Sequence, residues 1–312
     1  LQAQPNFIYG PVPSRRLGLS LGVDLVPYKV CSYDCVYCQI GRTPETTLER
    51  RPYVTADIIA SQLKQRLDAG ARPDHITLGG SGEPTLNSDI KRIIKDIQRI
   101  SNIPVALLTN GSLLNDPEVR KDICAADVVL PSFDACDAEI FLKINRPHKN
   151  IRFEDTAQGL IKFRQEYKGL IWIEIFFVDG INADEETVKR YLPWMEKFRP
   201  DKIHLNTAVR PTAESGISPL SQVKLMAFAE ILGKNAEVVA AFSRPKTDQH
   251  TTDIRNGILH MLSRRPCTID DMAAGLGLQP NEILKYFDPL IAEKQVTTVN
   301  VKGRIFYQRQ KE

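Results

Sequence analysis

The chain has 312 residues, more than one small core needs, which points to a large α/β domain and a smaller one. Its 42% hydrophobic and 25% charged content is that of an ordinary globular protein, and a net charge of +3 does not by itself announce a polyanionic partner. No apolar run approaches the ~18–20 residues of a membrane span, and the opening Leu1–Phe7 lacks the charged and apolar regions of a signal peptide, so the expected setting is cytoplasmic, away from a membrane.

Strand-like and helix-like segments alternate from about residue 18 to residue 208. Leu19–Leu25 alternates apolar and polar residues as a half-buried strand does. Thr55 can cap an amphipathic helix, Ala56–Ala69, that ends at Gly70. Ile76–Leu78 is a short strand entering a Gly-rich turn, and Ser88 opens a helix to Ile100 with Ile90, Ile93, Ile94 and Ile97 on one face. Val105–Leu108 and Val128–Leu130 are two further strands. A helix over Phe153–Arg164, a long apolar strand over Leu170–Val178, a helix over Asp184–Phe198 and a strand over Ile203–Leu205 complete the alternation. Six strands separated by helices imply parallel pairing, with functional residues at the strands' C-terminal ends. Ser221–Leu232 continues the helical layer.

The breaker-rich stretch 243–251 reads as a linker. Beyond it, helices over Asp253–Leu262, Ile269–Leu276 and Pro280–Ala292 precede two strands, Val296–Val301 and Ile305–Gln308, the order of a winged helix. Residues 252–312 hold nine Lys/Arg and seven Asp/Glu, a net of +2. The third helix carries Glu282 and Asp288 against Lys285, which disfavours a helix laid in a nucleic-acid groove. Pro289 should kink that helix. Lys302 and Arg304 leave the wing able to touch RNA, but packing or docking of a protein is the favoured role.

Three of the six cysteines fall within eight positions, Cys31, Cys35 and Cys38, in the spacing C-x3-C-x2-C soon after the first strand. In a reducing compartment such clustering indicates metal ligation. Three thiolates from one loop can hold three irons of a cubane and leave the fourth open to an exogenous chelator. A zinc site or redox thiols are the alternatives, but zinc usually takes a fourth Cys or His, and the nearest histidine is the distant His75.

The loop, with aromatic Tyr37 just before the third cysteine, resembles the signature of the radical S-adenosylmethionine (SAM) superfamily. The resemblance implies a [4Fe–4S] cluster on the three cysteines and SAM chelated through its amino and carboxylate groups. It also implies a 5′-deoxyadenosyl radical that abstracts a substrate hydrogen, and an electron donor such as flavodoxin or ferredoxin. Gly80, Ser81, Gly82, Glu83 and Pro84 are similar to the family's Gly-Gly-Glu-Pro turn, which engages the SAM amino group. Small polar groups at strand ends, Thr109, Asn110, Ser132 and Asp134, suit the ribose hydroxyls and the SAM carboxylate, though Asn-Gly turns and Asp caps read the same way.

Glu174 stands in a strand that should be buried and therefore needs a partner, for which Arg146 is the candidate. By resemblance Asn206 and Arg210 lie near the adenine or the substrate. The segments Tyr9–Gly18 and Leu21–Pro27 look like the branch related to tRNA wyosine-base synthases, whose members use a catalytic lysine and often a second cluster. Cys124, Cys136 and Cys267 are too dispersed for a second cluster, and Lys29 reads as an ordinary solvated lysine. The expectation is an incomplete (β/α)6 TIM-like barrel over 1–242, a linker and a winged helix over 252–312. Its catalytic side chains are unassigned, and its substrate is RNA or a nucleotide. The alternatives are a protein substrate docked by the winged helix, or a SAM- or redox-sensing regulator.

Overall fold

The computed structural model describes residues 5–239, 254–276, 278, 280–301 and 303–310. Its main sheet has eight strands in sequence order: β1 (Ile8–Ser14), β2 (Gly18–Val23), β3 (His75–Leu78), β4 (Val105–Thr109), β5 (Val128–Pro131), β6 (Leu170–Phe177), β7 (Lys202–Thr207) and β8 (Ala236–Val238). β1 pairs antiparallel with β2, and every later pair is parallel. β2 to β7 are the six strands expected. β1 and β8 border them without pairing to each other, so the barrel is open. β1 carries Pro11 and Pro13, which donate no ladder bond and are tolerated where a strand has one neighbour.

Parallel neighbours need crossovers, and helices supply them. They are α1 (Ala56–Asp68), α2 (Ile90–Ile100), α3 (Pro117–Ile123), α4 (Ala138–Ile144), α5 (Phe153–Glu166), α6 (Glu185–Lys189), α7 (Leu192–Phe198) and α8 (Gln222–Leu232). α2 buries Ile90, Ile93, Ile94 and Ile97 completely, each contributing about 1.5–3 kcal/mol. It starts after Asp89 rather than at Ser88. The helix expected over 184–198 is two, α6 and α7, broken at Arg190–Tyr191 just ahead of Pro193.

The C-terminal unit comprises α9 (Ile254–Arg264), α10 (Ile269–Leu276), α11 (Pro280–Ala292) and an antiparallel hairpin of β9 (Val296–Val301) and β10 (Arg304–Arg309). This is the expected element order, and α11 runs on through Pro289. The expected linker lies largely outside the described residues, as does Lys302. The unit has its own core, around Ile258, Met272, Ile283 and Leu290, and Val12 of β1 packs against it. Gly275 lets α10 approach: a Cβ there would stand 2.7 Å from Met261 Cε and 3.2 Å from Pro13 Cδ. No helix among the described residues is long and apolar enough to cross a membrane.

Candidate active site

After β2 the chain enters the cysteine loop, which is fastened to the Gly-rich turn after β3. The Lys29 amide donates to the Ser81 carbonyl (2.6 Å), and the Glu83 amide donates to the Val30 carbonyl (3.0 Å). Gly82 sits against Val30 so closely that a Cβ would collide with its carbonyl. Gly79 and Gly80 have φ of 139° and 145°, backbone that other residues rarely adopt. Glu83 closes the arrangement. Its buried carboxylate accepts four hydrogen bonds of 2.5–3.0 Å, from the Thr85 amide and hydroxyl, the Thr109 hydroxyl and the Asn110 amide. It thereby ties the turn to the end of β4.

Cys31, Cys35 and Cys38 line one cavity of about 360 Å³ together with the ends of β3, β4, β5, β6 and β7. Each sulfur receives one side-chain N–H. Asn110 Nδ2 lies 3.6 Å from Cys31 Sγ, Asn145 Nδ2 3.5 Å from Cys35 Sγ, and Lys29 Nζ 3.3 Å from Cys38 Sγ. Burial pushes the Cys31 thiol up to about 12 and Cys35 well above the ordinary thiol value. Alone these sulfurs stay protonated; a bound metal deprotonates a coordinating thiol outright. Three donors aimed at three sulfurs suit thiolates, so the residues fit an iron–sulfur cluster. Among the described residues no three His, Cys, Asp or Glu side chains form a group that could hold a single metal ion.

The expected cofactor residues divide. Tyr37, Gly80, Gly82, Glu83, Thr109, Asn110, Ser132, Glu174 and Asn206 line the cavity. Ser81, Pro84, Asp134 and Arg146 do not. Ser81 faces the C-terminal unit and accepts from Arg264 (2.6 Å). Pro84 opens a buried turn that leads to α2.

Asp134 is turned into the protein. It accepts from the Tyr37 hydroxyl (2.6 Å), Asn145 Nδ2 (2.7 Å) and the Phe176 amide (2.9 Å). Tyr37 itself stacks on Phe176, with centroids 3.9 Å apart. Asp134 thus holds both Tyr37 and Asn145, and through them the cysteine loop.

Two pairings depart from the sequence reading. Glu174 is paired with Arg16 and accepts from Asn206 Nδ2 (3.1 Å), while Arg146 bonds Glu214 (2.5 Å). Arg146 cannot serve Glu174 because its own loop, after α4, carries it toward Glu214. Lys29 is buried rather than solvated, with its ammonium on a cysteine sulfur.

Sequence reasoning missed most of one wall. Tyr9, Arg15, Arg16, Met261, Arg264 and Arg265 also line the cavity, beside Arg210. Arg15 and Arg16 lie in the segment singled out before Gly18, whose charged pair was a usable signal. Arg264 and Arg265 stand at the end of α9 and reach the site only because the C-terminal unit packs on β1. Arg264 forms an ion pair with buried Asp24 and lies over the Tyr9 ring, 5.0 Å from its centroid.

A cysteine triplet at the mouth of an open parallel barrel, fastened to a Gly-Glu-Pro turn, defines the class, and the family comparison agrees. Residues 25–192, more than half of the chain, match the model of the radical SAM superfamily, and the chain belongs to it. It is therefore an enzyme of a family that works with a [4Fe–4S] cluster and SAM. More particularly, it is 33% identical over 307 residues to UPF0026 protein MJ1312 of Methanocaldococcus jannaschii, covering 96% of this chain and 95% of that one. It is 35% identical over 303 residues to a Brachyspira hyodysenteriae protein called GTPase Obg; there it spans only 45% of the relative's length. Among solved structures it is similar in fold to TYW1 with a lysine-pyruvate adduct bound, at a TM-score of 0.52 and 19% identity over 73% of this chain and 76% of that one.

Proposed function

We propose that Cys31, Cys35 and Cys38 hold three irons of the cluster, leaving the fourth for SAM, and that the enzyme acts on an RNA or nucleotide substrate. The observation that carries this reading is the donor set: three half-buried cysteines around one cavity, each sulfur supplied with one N–H. Reduced by a flavodoxin- or ferredoxin-type donor, the cluster would cleave the SAM sulfonium and release a 5′-deoxyadenosyl radical that abstracts a substrate hydrogen.

The chain's own groups bind and orient. The backbone at Gly80 and Gly82 would hold the SAM amino group, and Thr109, Asn110 and Ser132 would supply donors and acceptors at the strand ends. Glu174 and Asn206 would hold the nucleoside end, and Tyr37 walls the cavity. The arginine-rich wall supports a phosphate-bearing substrate over a neutral one.

Anaerobic reconstitution with iron and sulfide, reduction with dithionite and chromatography for 5′-deoxyadenosine test the reaction. Release that depends on all three cysteines, and that rises when cellular RNA or a nucleotide pool is added, is the expected result. A cluster-loaded protein that binds SAM and cleaves none of it under either addition would sink the reading.

A further inference from the structure

The guanidiniums in the cavity wall outnumber their carboxylates. Arg16 is matched by Glu174, and Arg264 by Asp24. The other three, Arg15, Arg210 and Arg265, share Asp271, which lies 3.5 Å from Arg210 Nη2. Arg15 and Arg265 have no ion pair among the described residues, although Arg265 donates to the Pro13 carbonyl (3.1 Å). Arg210 is 7% exposed, and its Nε is buried without a hydrogen-bond partner. Burial, together with the neighbouring guanidiniums, lowers Arg15 and Arg210 to about 10, so these cations repel one another in a poorly solvated wall. Three cations against one carboxylate leave two positive charges, the complement of a phosphate monoester dianion. A single carboxylate would neutralise only one. Guanidinium forks also match phosphate oxygens in geometry.

We propose that Arg15, Arg210 and Arg265 form a phosphate-binding subsite in the wall of the cavity that the turn after β1, the segment after β7 and the C-terminal unit build. The inference rests on the proposed reading and adds to it where the substrate's phosphate is held, with the radical chemistry performed at the cysteine end of the same cavity. One of the three arginines comes from α9's end, so the C-terminal unit completes a substrate site rather than merely packing on the barrel.

Isothermal titration of the reconstituted full-length holoenzyme, saturated with SAM, tests this with pyrophosphate as probe and malonate as the dicarboxylate arm. One pyrophosphate per chain is expected, with affinity falling steeply as NaCl rises. Arg15→Gln alone should weaken it several-fold, and Arg15→Gln with Arg265→Gln at least tenfold, at unchanged iron content. Arg92→Gln, whose guanidinium pairs with Asp57 on the surface, should leave pyrophosphate binding as it was.

No pyrophosphate binding, or binding indifferent to these substitutions, overturns the subsite. Malonate binding more tightly than pyrophosphate overturns its assignment to phosphate, and an equal loss of SAM affinity reassigns the wall to SAM. Release of 5′-deoxyadenosine is scored separately in the unsubstituted enzyme. If it is present without pyrophosphate binding, only the subsite fails; if it is absent while pyrophosphate binds, the radical reading fails and the subsite stands.

Discussion

The two walls of the cavity are built in different ways. The cysteine wall is made from the cysteine loop and consecutive strand ends of the barrel, and the groups in and behind it are individually satisfied: Glu83 by four donors, Asp134, behind the wall, by three, each sulfur by one. The facing wall is made by β1 and its turn, by the end of α9 and, at Arg210, by the segment after β7; β1 and α9 lie some 250 residues apart in sequence (Arg265 bonds Pro13, 252 positions away). Its guanidiniums are incompletely paired. A satisfied wall is rigid and suits a cofactor held the same way in every turnover. A wall with surplus charge suits a ligand that arrives with the opposite charge and leaves.

The largest effect should come from the satisfied wall. Cys31→Ala, Cys35→Ala or Cys38→Ala each removes one of the three proposed ligands, and iron content after reconstitution should fall to background along with 5′-deoxyadenosine. A single variant retaining full iron would refute its cysteine as a ligand.

On the facing wall the contrast is sharpest at Asp24, whose burial outweighs the attraction of Arg264 and pushes its carboxyl up to about 6. A carboxyl raised in the folded state favours folding while protonated. This contribution is complete below the unfolded value of about 3.9 and is lost as pH rises through 6, about 3 kcal/mol over the window. Urea unfolding of the metal-free chain should therefore show a fall in stability between pH 4 and 6 that Asp24→Asn flattens. An unflattened profile would mean that other groups carry it.

Arg264→Met should act through the same carboxyl. With the guanidinium gone, Asp24 answers by keeping its proton to higher pH. The ion-pair part of the loss should thus be small below pH 6 and grow above it by about 1.4 kcal/mol per pH unit until the new pKa is reached. Asp24→Asn combined with Arg264→Met should remove that growth. A loss of equal size at pH 5 and pH 8 would instead assign Arg264 a packing role over Tyr9.

Much of the first wall was legible in the sequence because its parts are local. The C-x3-C-x2-C spacing, the Gly-rich turn and the polar strand ends each announce themselves within a few residues, and the six parallel strands follow from apolar runs between helices. Glu174 reads as a carboxylate needing a partner, and Asp134 as a small polar group at a strand end. Their partners were not legible, because Tyr37, Asn145 and Arg16 reach them from other elements. β1 was hidden by its two prolines and β8 by its length of three residues. The arginine wall was illegible for a deeper reason: Arg264 and Arg265 enter the site through a contact between two hydrophobic cores, which no local pattern encodes.

Lys29 is the exception within the satisfied wall, and it gives the finest test of the comparison. A lysine ahead of the loop reads as solvated, yet its φ of 64° turns the chain so that the side chain enters the cavity and the ammonium meets Cys38 Sγ at 3.3 Å. A cation held against a ligand sulfur stabilises added negative charge more than it stabilises the ligand itself. Lys29→Met should accordingly leave iron content intact, make the cluster harder to reduce and slow 5′-deoxyadenosine release by no more than about tenfold, or 1.4 kcal/mol. Lys29→Arg keeps the charge and should recover most of the rate. Reduction followed by electron paramagnetic resonance at a series of set potentials separates this from a structural role: a merely structural lysine would lose iron without moving the midpoint, whereas a tuning lysine moves the midpoint to lower potential with the iron in place.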